Sequence, residues 1–226
     1  MSQLYSSNFS FKIDPHIHTA EVSLCGHLSA VDIVQRYYNL GYNGIVITDH
    51  LHHDYISSLE CKDDWTSCVG HFISGYELAK KEGDRLGLKV ILGAEIRFLV
   101  NDSDYLLYGI DKDFLLRVPY LYEMDHREFF TRYEKEILLI QAHPFRNKNE
   151  ILVDYIHGVE VYNANKRHNN YNEKAVELCK ENKGLHRMQG SDTHQNGDEG
   201  RAFMMLDRVV DSSVGFRDCV KENGYM

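Results

Sequence analysis

The 226-residue chain has only three prolines and one tryptophan, and no apolar run approaches the ~20 residues of a membrane-spanning helix. With so little proline, no repeat and no low-complexity tract, nothing reads as a linker, so one domain over residues 1–226 is expected. Positive charge is also scarce: 25 Lys and Arg against 34 Asp and Glu leave a formal charge of −9. Such a balance disfavours nucleic acid or an anionic membrane as partner. The opening MSQLYSSNFSFK lacks the basic and apolar regions of a secretory signal. The five cysteines (Cys25, Cys61, Cys68, Cys179, Cys219) are odd in number and form no CxxC pair. They fit reduced thiols and a cytoplasmic location. Oligomeric state is not encoded in these features.

Histidine, by contrast, is plentiful, at 13 residues. Short β-rich apolar runs recur at 9–18, 44–50, 89–99, 105–110, 137–143, 158–163, 187–194 and 202–206. Helical spacing occupies most of the intervals: 28–40, 65–86, 125–136, 147–156, 169–183 and 213–223. Gly41 follows the first helix as a stop, and Gly83 is placed to break or shorten the second. Strands alternating with helices predict βαβ units, a parallel sheet and a barrel-like α/β domain.

The acids and histidines fall unevenly on that frame. In IDPHIHTAEVS, residues 13–23, His16 and His18 are two apart on an extended segment, so both point to one face. Side-by-side imidazoles pack a core poorly and grip a metal well. Asp49 and His50 end the second run, His143 the fifth, and Asp192 with His194 the seventh. Thr-Asp before a helix also reads as an N-cap, so ITDH alone is weak. Glu95 inside an apolar run says more, because a buried carboxylate without a partner costs several kcal/mol. In a (β/α) barrel the strand C-termini converge on one face. His16, His18, His50, Glu95, His143, Asp192 and His194 would there hold more than one metal ion.

The ordered set DPHIHT, ITDH, GAEI, QAHPFR and GSDTHQ resembles the PHP (polymerase and histidinol phosphatase) family of metal-dependent phosphoesterases, from about residue 12 to 205. The resemblance implies a distorted (β/α)7 barrel with two or three divalent ions (zinc, iron or manganese) at the strand C-termini. It implies a first ion on His16, His18, Glu95 and Asp192, with Glu95 bridging to a second ion on His143 and a third on His50 and His194. The chain departs from the family pattern twice. After the fourth run, where the family often supplies a histidine to the second ion, LLYGIDKDF offers Asp111. For the remaining ligand of the third ion Glu21, Cys25 and His27 compete, with Glu21 favoured as a hard anionic donor.

The activity implied is hydrolysis of a small phosphomonoester by metal-activated hydroxide attack, with the ions clamping attacking and leaving oxygens. Glu95, Asp192 and Arg146 are the catalytic candidates. Arg146, three residues after His143, is the first phosphate-binding candidate, and His168 and Arg201 are weaker ones that surface salt bridges explain as well. Asp49 is placed to orient a ligand from behind. Histidinol phosphate, nucleotides, phosphotyrosine and DNA ends are substrates within such a family, and the negative charge disfavours polymeric DNA. Two other classes compete: an amidohydrolase-type metallohydrolase, which also opens with HxH but uses a carbamylated lysine and a lone final Asp, and a noncatalytic metal-binding module.

Overall fold

A computed structural model describes residues 9–146 and 151–226. Strand β1 (Phe11–Ile17) is buried at every position but Lys12, as a strand covered on both faces must be. Ser29 then caps α1 (Ala30–Asn39) by accepting from Asp32 N–H. Gly41, at φ +71°, follows that helix as expected. The chain continues through β2 (Gly44–Ile47), β3 (His50–Leu51), α2 (His53–Ser58), α3 (Trp65–Phe72), α4 (Ser74–Leu86), β4 (Lys89–Leu92), β5 (Ala94–Arg97) and β6 (Asp104–Tyr108). It ends with α5 (Lys112–Arg117), α6 (His126–Tyr133), β7 (Leu138–Gln141), β8 (Gly158–Asn163), α7 (Asn172–Glu181), β9 (His186–Gly190), β10 (Met204–Leu206) and α8 (Ser213–Lys221).

The result is an α/β fold with two mixed sheets, in strand orders β10-β1-β2-β4 and β3-β5-β6-β7-β8-β9. The chain passes directly from one sheet into the other through Thr48-Asp49 between β2 and β3 and through Gly93 between β4 and β5. At the opposite side Ile17 bridges Thr193 in parallel, and His18 N–H donates to Thr193 O at 2.9 Å. The sheets therefore meet at the ends of β1, β2, β5 and β9, where the acids and histidines lie.

Several expectations need correction. The sheets are not purely parallel: β6 runs antiparallel to β5 and β7, and β10 antiparallel to β1. Only residues 98–103 separate β5 from β6, too few for a crossover helix, so the chain must turn back. The helix expected over 65–86 breaks at Ile73 rather than Gly83. Gly83 is buried inside α4, where an added Cβ would come within 2.5 Å of Val90 Cγ2. Its role is close helix–strand packing, not helix termination. The run 187–194 leaves strand geometry after Gly190, and Asp192 takes φ +55°. Of the helix expected at 147–156, residues 147–150 lie outside the described residues, and the remainder forms a 3-10 turn at Val153–Tyr155. Segments 51–70 and 111–125 contain short capped helices: His52 Nδ1 accepts from Tyr55 N–H before α2, and Asp111 Oδ1 from Phe114 N–H before α5.

The largest apolar cluster packs α3, α5 and α6 against β5–β7 with Trp65, Phe98, Tyr105 and Phe129. A second lies between β1, β10 and α8, and a third beneath α1 and α4. All three support the same rim. Among the described residues, no helix is long and apolar enough to cross a membrane.

Candidate metal centre

The rim is built from strand ends that point side chains inward. His16 and His18 are fully buried, and their Nε2 atoms face each other at 3.1 Å. Only a shared proton or a cation reconciles two imidazole nitrogens at that distance. Glu95 on β5 joins them, with Oε2 3.3 Å from His18 Nε2 and 3.0 Å from His50 Nδ1, and Oε1 3.0 Å from His143 Nε2. Asp192 Oδ1 lies 3.4 Å from His16 Nε2 and 3.5 Å from His18 Nε2. Among the described residues three donor groups emerge, each with ligating atoms within 4.8 Å of one another: His16, His18 and Glu95; Glu95, Asp104 and His143; and His18, His50 and His194.

Behind the donors, a further layer of hydrogen bonds fixes which nitrogen faces inward. Glu160 Oε1 accepts from His16 Nδ1 at 2.8 Å, so the Nε2 of that ring is aimed at the cluster. Ser23 Oγ donates to Asp49 Oδ1 at 2.7 Å and lies 3.2 Å from His18 Nδ1. The serine proton is thus spent, so its oxygen accepts from His18 Nδ1–H and Nε2 is again the free nitrogen. Asp49 orients a ligand from behind, as its place in ITDH suggests. His194 Nδ1 donates to Asp192 O at 2.9 Å, which leaves Nε2 facing inward.

The electrostatics favour positive charge here. Burial opposes protonation of His16, yet Glu160, Asp192 and Glu95 together raise its pKa well above the ordinary value. Burial likewise opposes ionisation of Glu95 and Asp192, but the surrounding histidines, with Arg146 beside Asp192, hold both carboxyls well below the usual range. Burial, then His194 and His50, keeps His18 neutral. With a metal ion taking the place of the proton on His16, imidazoles and ionised carboxylates held by outer hydrogen bonds are the donor set that zinc, iron or manganese takes. His16, His18, Glu95 and Asp192 would hold one ion, Glu95, Asp104 and His143 another, and His50 and His194 a third.

Two backbone features support the arrangement. His143 and Asp192 both sit at positive φ, +30° and +55°, a conformation that persists in non-glycine residues where the surroundings enforce it. Gly190 lies where a Cβ would come within 2.5 Å of His16 Cβ and 2.9 Å of Glu160 Oε1. Only glycine lets β9 approach that pair.

The remaining candidates divide. Arg146 enters the site: its guanidinium bonds Asp192 Oδ2 at 2.6 Å, Asn170 Oδ1 at 2.9 Å and Asn163 Oδ1 at 3.1 Å. His168 lines the same cleft, which has a volume of about 460 Å³. Arg201 does not; it lies 3.8 Å from Asp198, the surface-salt-bridge alternative. Glu21 is not brought to the centre either, because both its oxygens accept from Ala30 N–H at the start of α1. Cys25 is, with Sγ 3.2 Å from His50 Nε2. Burial alone would push that thiol up, but its hydrogen bonds to His194 and His50 bring it down to about 6. Asp111 is spent capping α5, and Asp104 stands in the place considered for it.

Sequence reasoning placed Glu160 in the sixth run without giving it a role, and missed Asp104, Arg97 and Arg167. Asp104 opens β6, and because β6 is antiparallel its N-terminal end faces the rim, paired with Arg97 on β5. An acid at the start of a run directly after a short turn was the available signal. Glu160, buried inside an apolar run like Glu95, carried the same signal of a carboxylate needing a partner. Arg97 and Arg167 line the cleft from opposite chain segments.

Comparison with known proteins now bears on this geometry. The PHP domain model matches residues 14–214. The chain belongs to the PHP domain family. Among solved structures, a two-domain protein from Bacteroides vulgatus containing a predicted PHP-like metal-dependent phosphoesterase is similar at a TM-score of 0.66 and 20% identity, over 96% of this chain and 64% of that one. The PHP chain thus spans 64% of that protein's length. A provisionally named metal-dependent phosphoesterase from Bifidobacterium adolescentis is similar at a TM-score of 0.54 and 16% identity, over 93% of this chain and 94% of that one. An amidohydrolase from Chromobacterium violaceum, with sulfate and no metal bound, is similar at a TM-score of 0.57 and 14% identity, over 95% and 97% of the two chains. At these identities the likeness concerns the fold. No curated protein matches the chain.

Proposed function

We propose that this PHP domain is a metal-dependent phosphoesterase that hydrolyses a small phosphomonoester, using two or three ions of zinc, iron or manganese. One observation carries the reading: the Glu95 carboxylate lies within 3.0 Å of both His143 and His50 and 3.3 Å of His18, so a single buried acid joins the donor groups at the floor of an arginine-lined cleft. Bound divalent ions supply Lewis acidity, which brings the pKa of water towards neutrality and offsets charge on phosphoryl oxygens.

The protein's own residues supply the rest. Arg146, held by Asp192, Asn163 and Asn170, presents its guanidinium to the cleft already oriented, so little entropy is lost when it binds a phosphoryl oxygen. Arg167 extends the positive wall, and His168, whose pKa burial and then Arg146 push down, adds a neutral imidazole to the lining. Glu160 and the Ser23–Asp49 pair keep His16 and His18 in the tautomers that bind metal. Glu95 and Asp192 are the catalytic carboxylates, through the ions they would hold. A cleft of about 460 Å³ suits a small molecule. The same reading includes a single domain whose two linked sheets close as a distorted (β/α)7 barrel, a cytoplasmic location, and neither membrane nor polymeric nucleic acid as partner.

The fold likeness to an amidohydrolase keeps a second reading in view. Against it, no lysine lines the cleft among the described residues, and the buried group that joins the donor groups is the Glu95 carboxylate rather than a modified lysine. Elemental analysis of the purified protein, with p-nitrophenyl phosphate turnover for the wild type and His18→Ala, tests the proposal. The expected outcome is two or three ions per chain, with metal and turnover lost together in the variant. Full metal with no phosphatase turnover but hydrolysis of an amide panel would transfer the assignment to the amidohydrolase class.

A further inference from the structure

Three residues of the loop after β1 compete for the outer corner of the centre, and their positions separate them. Glu21 is occupied at Ala30 N–H. His27 lines the cleft with an exposed side chain, and its backbone N–H donates to His194 O at 2.6 Å. That bond pins the loop against His194 and delivers the neighbouring thiol to the histidines. Cys25 Sγ lies 3.2 Å from His50 Nε2. The turn is fixed from behind as well: Gly26 packs so closely on Thr19 O that an added Cβ would stand 2.6 Å from it. His50 Nδ1 faces Glu95 Oε2 at 3.0 Å on the floor side, so the opposite nitrogen, Nε2, is the one that meets Cys25, and His50 and His194 share a group of mutually close donors with His18.

We infer that the thiolate of Cys25 completes the third metal site with His50 and His194. Resting on the phosphoesterase reading, this deepens it by assigning the corner a nitrogen–sulfur donor set. The consequence is selectivity. The inner groups, rich in carboxylates, accept zinc, ferrous iron or manganese, whereas a thiolate with two imidazoles favours zinc or ferrous iron and binds manganese poorly. The remaining thiols lie elsewhere: Cys61 and Cys68 face each other at 3.9 Å near α3, and Cys179 and Cys219 are buried.

The test is cobalt titration of the metal-stripped full-length protein, read by near-ultraviolet absorption and by ion count. The wild type is expected to take up three ions and to show a thiolate-to-cobalt charge-transfer band. Cys25→Ser should lose the band and weaken the last ion by the ~10–100-fold or more that even outer partners of a site contribute. Cys25→His should keep three ions without the band, and Cys61→Ser should keep both. Manganese should fill the inner sites and leave the last one open. Peptide-mapped alkylation gives an independent readout: zinc should protect Cys25 and leave Cys61 reactive. Cobalt uptake without a Cys25-dependent band, or zinc that leaves Cys25 reactive, would overturn this inference while leaving the phosphoesterase reading intact. No metal uptake at all would overturn both.

Discussion

The floor of the centre and its outer corner are built differently. His16, His18, Glu95 and Asp192 are 0–1% exposed and sit on or directly beside strands. Behind three of them stands a fixed partner: Glu160 for His16, Ser23 with Asp49 for His18, and Arg146, Asn163 and Asn165 for Asp192. The corner of Cys25, His50 and His194 opens to solvent at Cys25, and two of its members, Cys25 and His194, lie outside strands and helices. A ligand already held in its bound geometry loses little entropy on binding. The floor should therefore bind metal first and release it last, and the corner should exchange.

Removing the acid that joins the two regions gives the largest effect. Glu95→Gln keeps the shape and removes the one carboxylate charge that touches histidines of all three donor groups. Turnover of p-nitrophenyl phosphate should fall by ~10³-fold or more, since metal and charge stabilisation are each worth several kcal/mol, and ion content should fall with it. A variant that retains its ions and most of its rate would show that floor and corner do not share this carboxylate. A smaller loss is expected from Glu160→Gln, which touches no ion directly. Freed from its anionic partner, His16 should bind metal ~10–100-fold more weakly, visible as an earlier midpoint in chelator titration. The corner's ion should be unaffected.

Arg146→Ala separates binding of substrate from binding of metal. Asp192 Oδ2 keeps Asn163 and Asn165 as donors, each at 3.2 Å, so the floor should keep its ions. KM for a phosphomonoester should rise by roughly 10-fold or more, the worth of a charged hydrogen bond at about 1.5–3 kcal/mol. An unchanged KM would remove Arg146 from phosphate recognition, and loss of metal would make it a structural support of Asp192.

The same contrast explains what the sequence could reveal. His16 and His18 were legible because period-two geometry is local, and Asp192 and His194 because a GSDTH segment repeats that spacing. Glu95 was legible because a charge inside an apolar run demands a partner. Asp104 was not, since its side of the molecule depends on β6 reversing direction, a property of the turn at 98–103 rather than of the run itself. The choice among Glu21, Cys25 and His27 was also hidden. It rests on Glu21 reaching the start of α1 and His27 pairing with His194, contacts between segments that sequence spacing does not fix. The alternation of strands and helices gave the fold class, but the mixed pairing came from connection length.

The smallest predicted effect lies outside the centre and sets the baseline for acid sensitivity. His157 Nδ1 accepts from Leu139 N–H at 3.0 Å and Nε2 donates to Glu134 O at 3.0 Å, an arrangement that requires the neutral ring. Burial, reinforced by Lys221, lowers its pKa from 6.5 to about 4. Between those values the unfolded chain binds the proton and the folded chain does not, so this contribution to stability is present above about pH 6.5 and is lost as pH falls towards about 4. In chelator-treated protein the urea midpoint should therefore drop between pH 7 and pH 5. Because the ring is partly exposed, the slope should stay below the ~1.4 kcal/mol per pH unit that one full proton allows. His157→Gln, which offers an acceptor and a donor but no titration, should be less stable at pH 7 and show a flatter profile. If the wild-type and variant profiles are parallel, the acid sensitivity belongs to the metal cluster instead, and loading the floor with zinc should then steepen it, because protons compete with the ion for the same ligands.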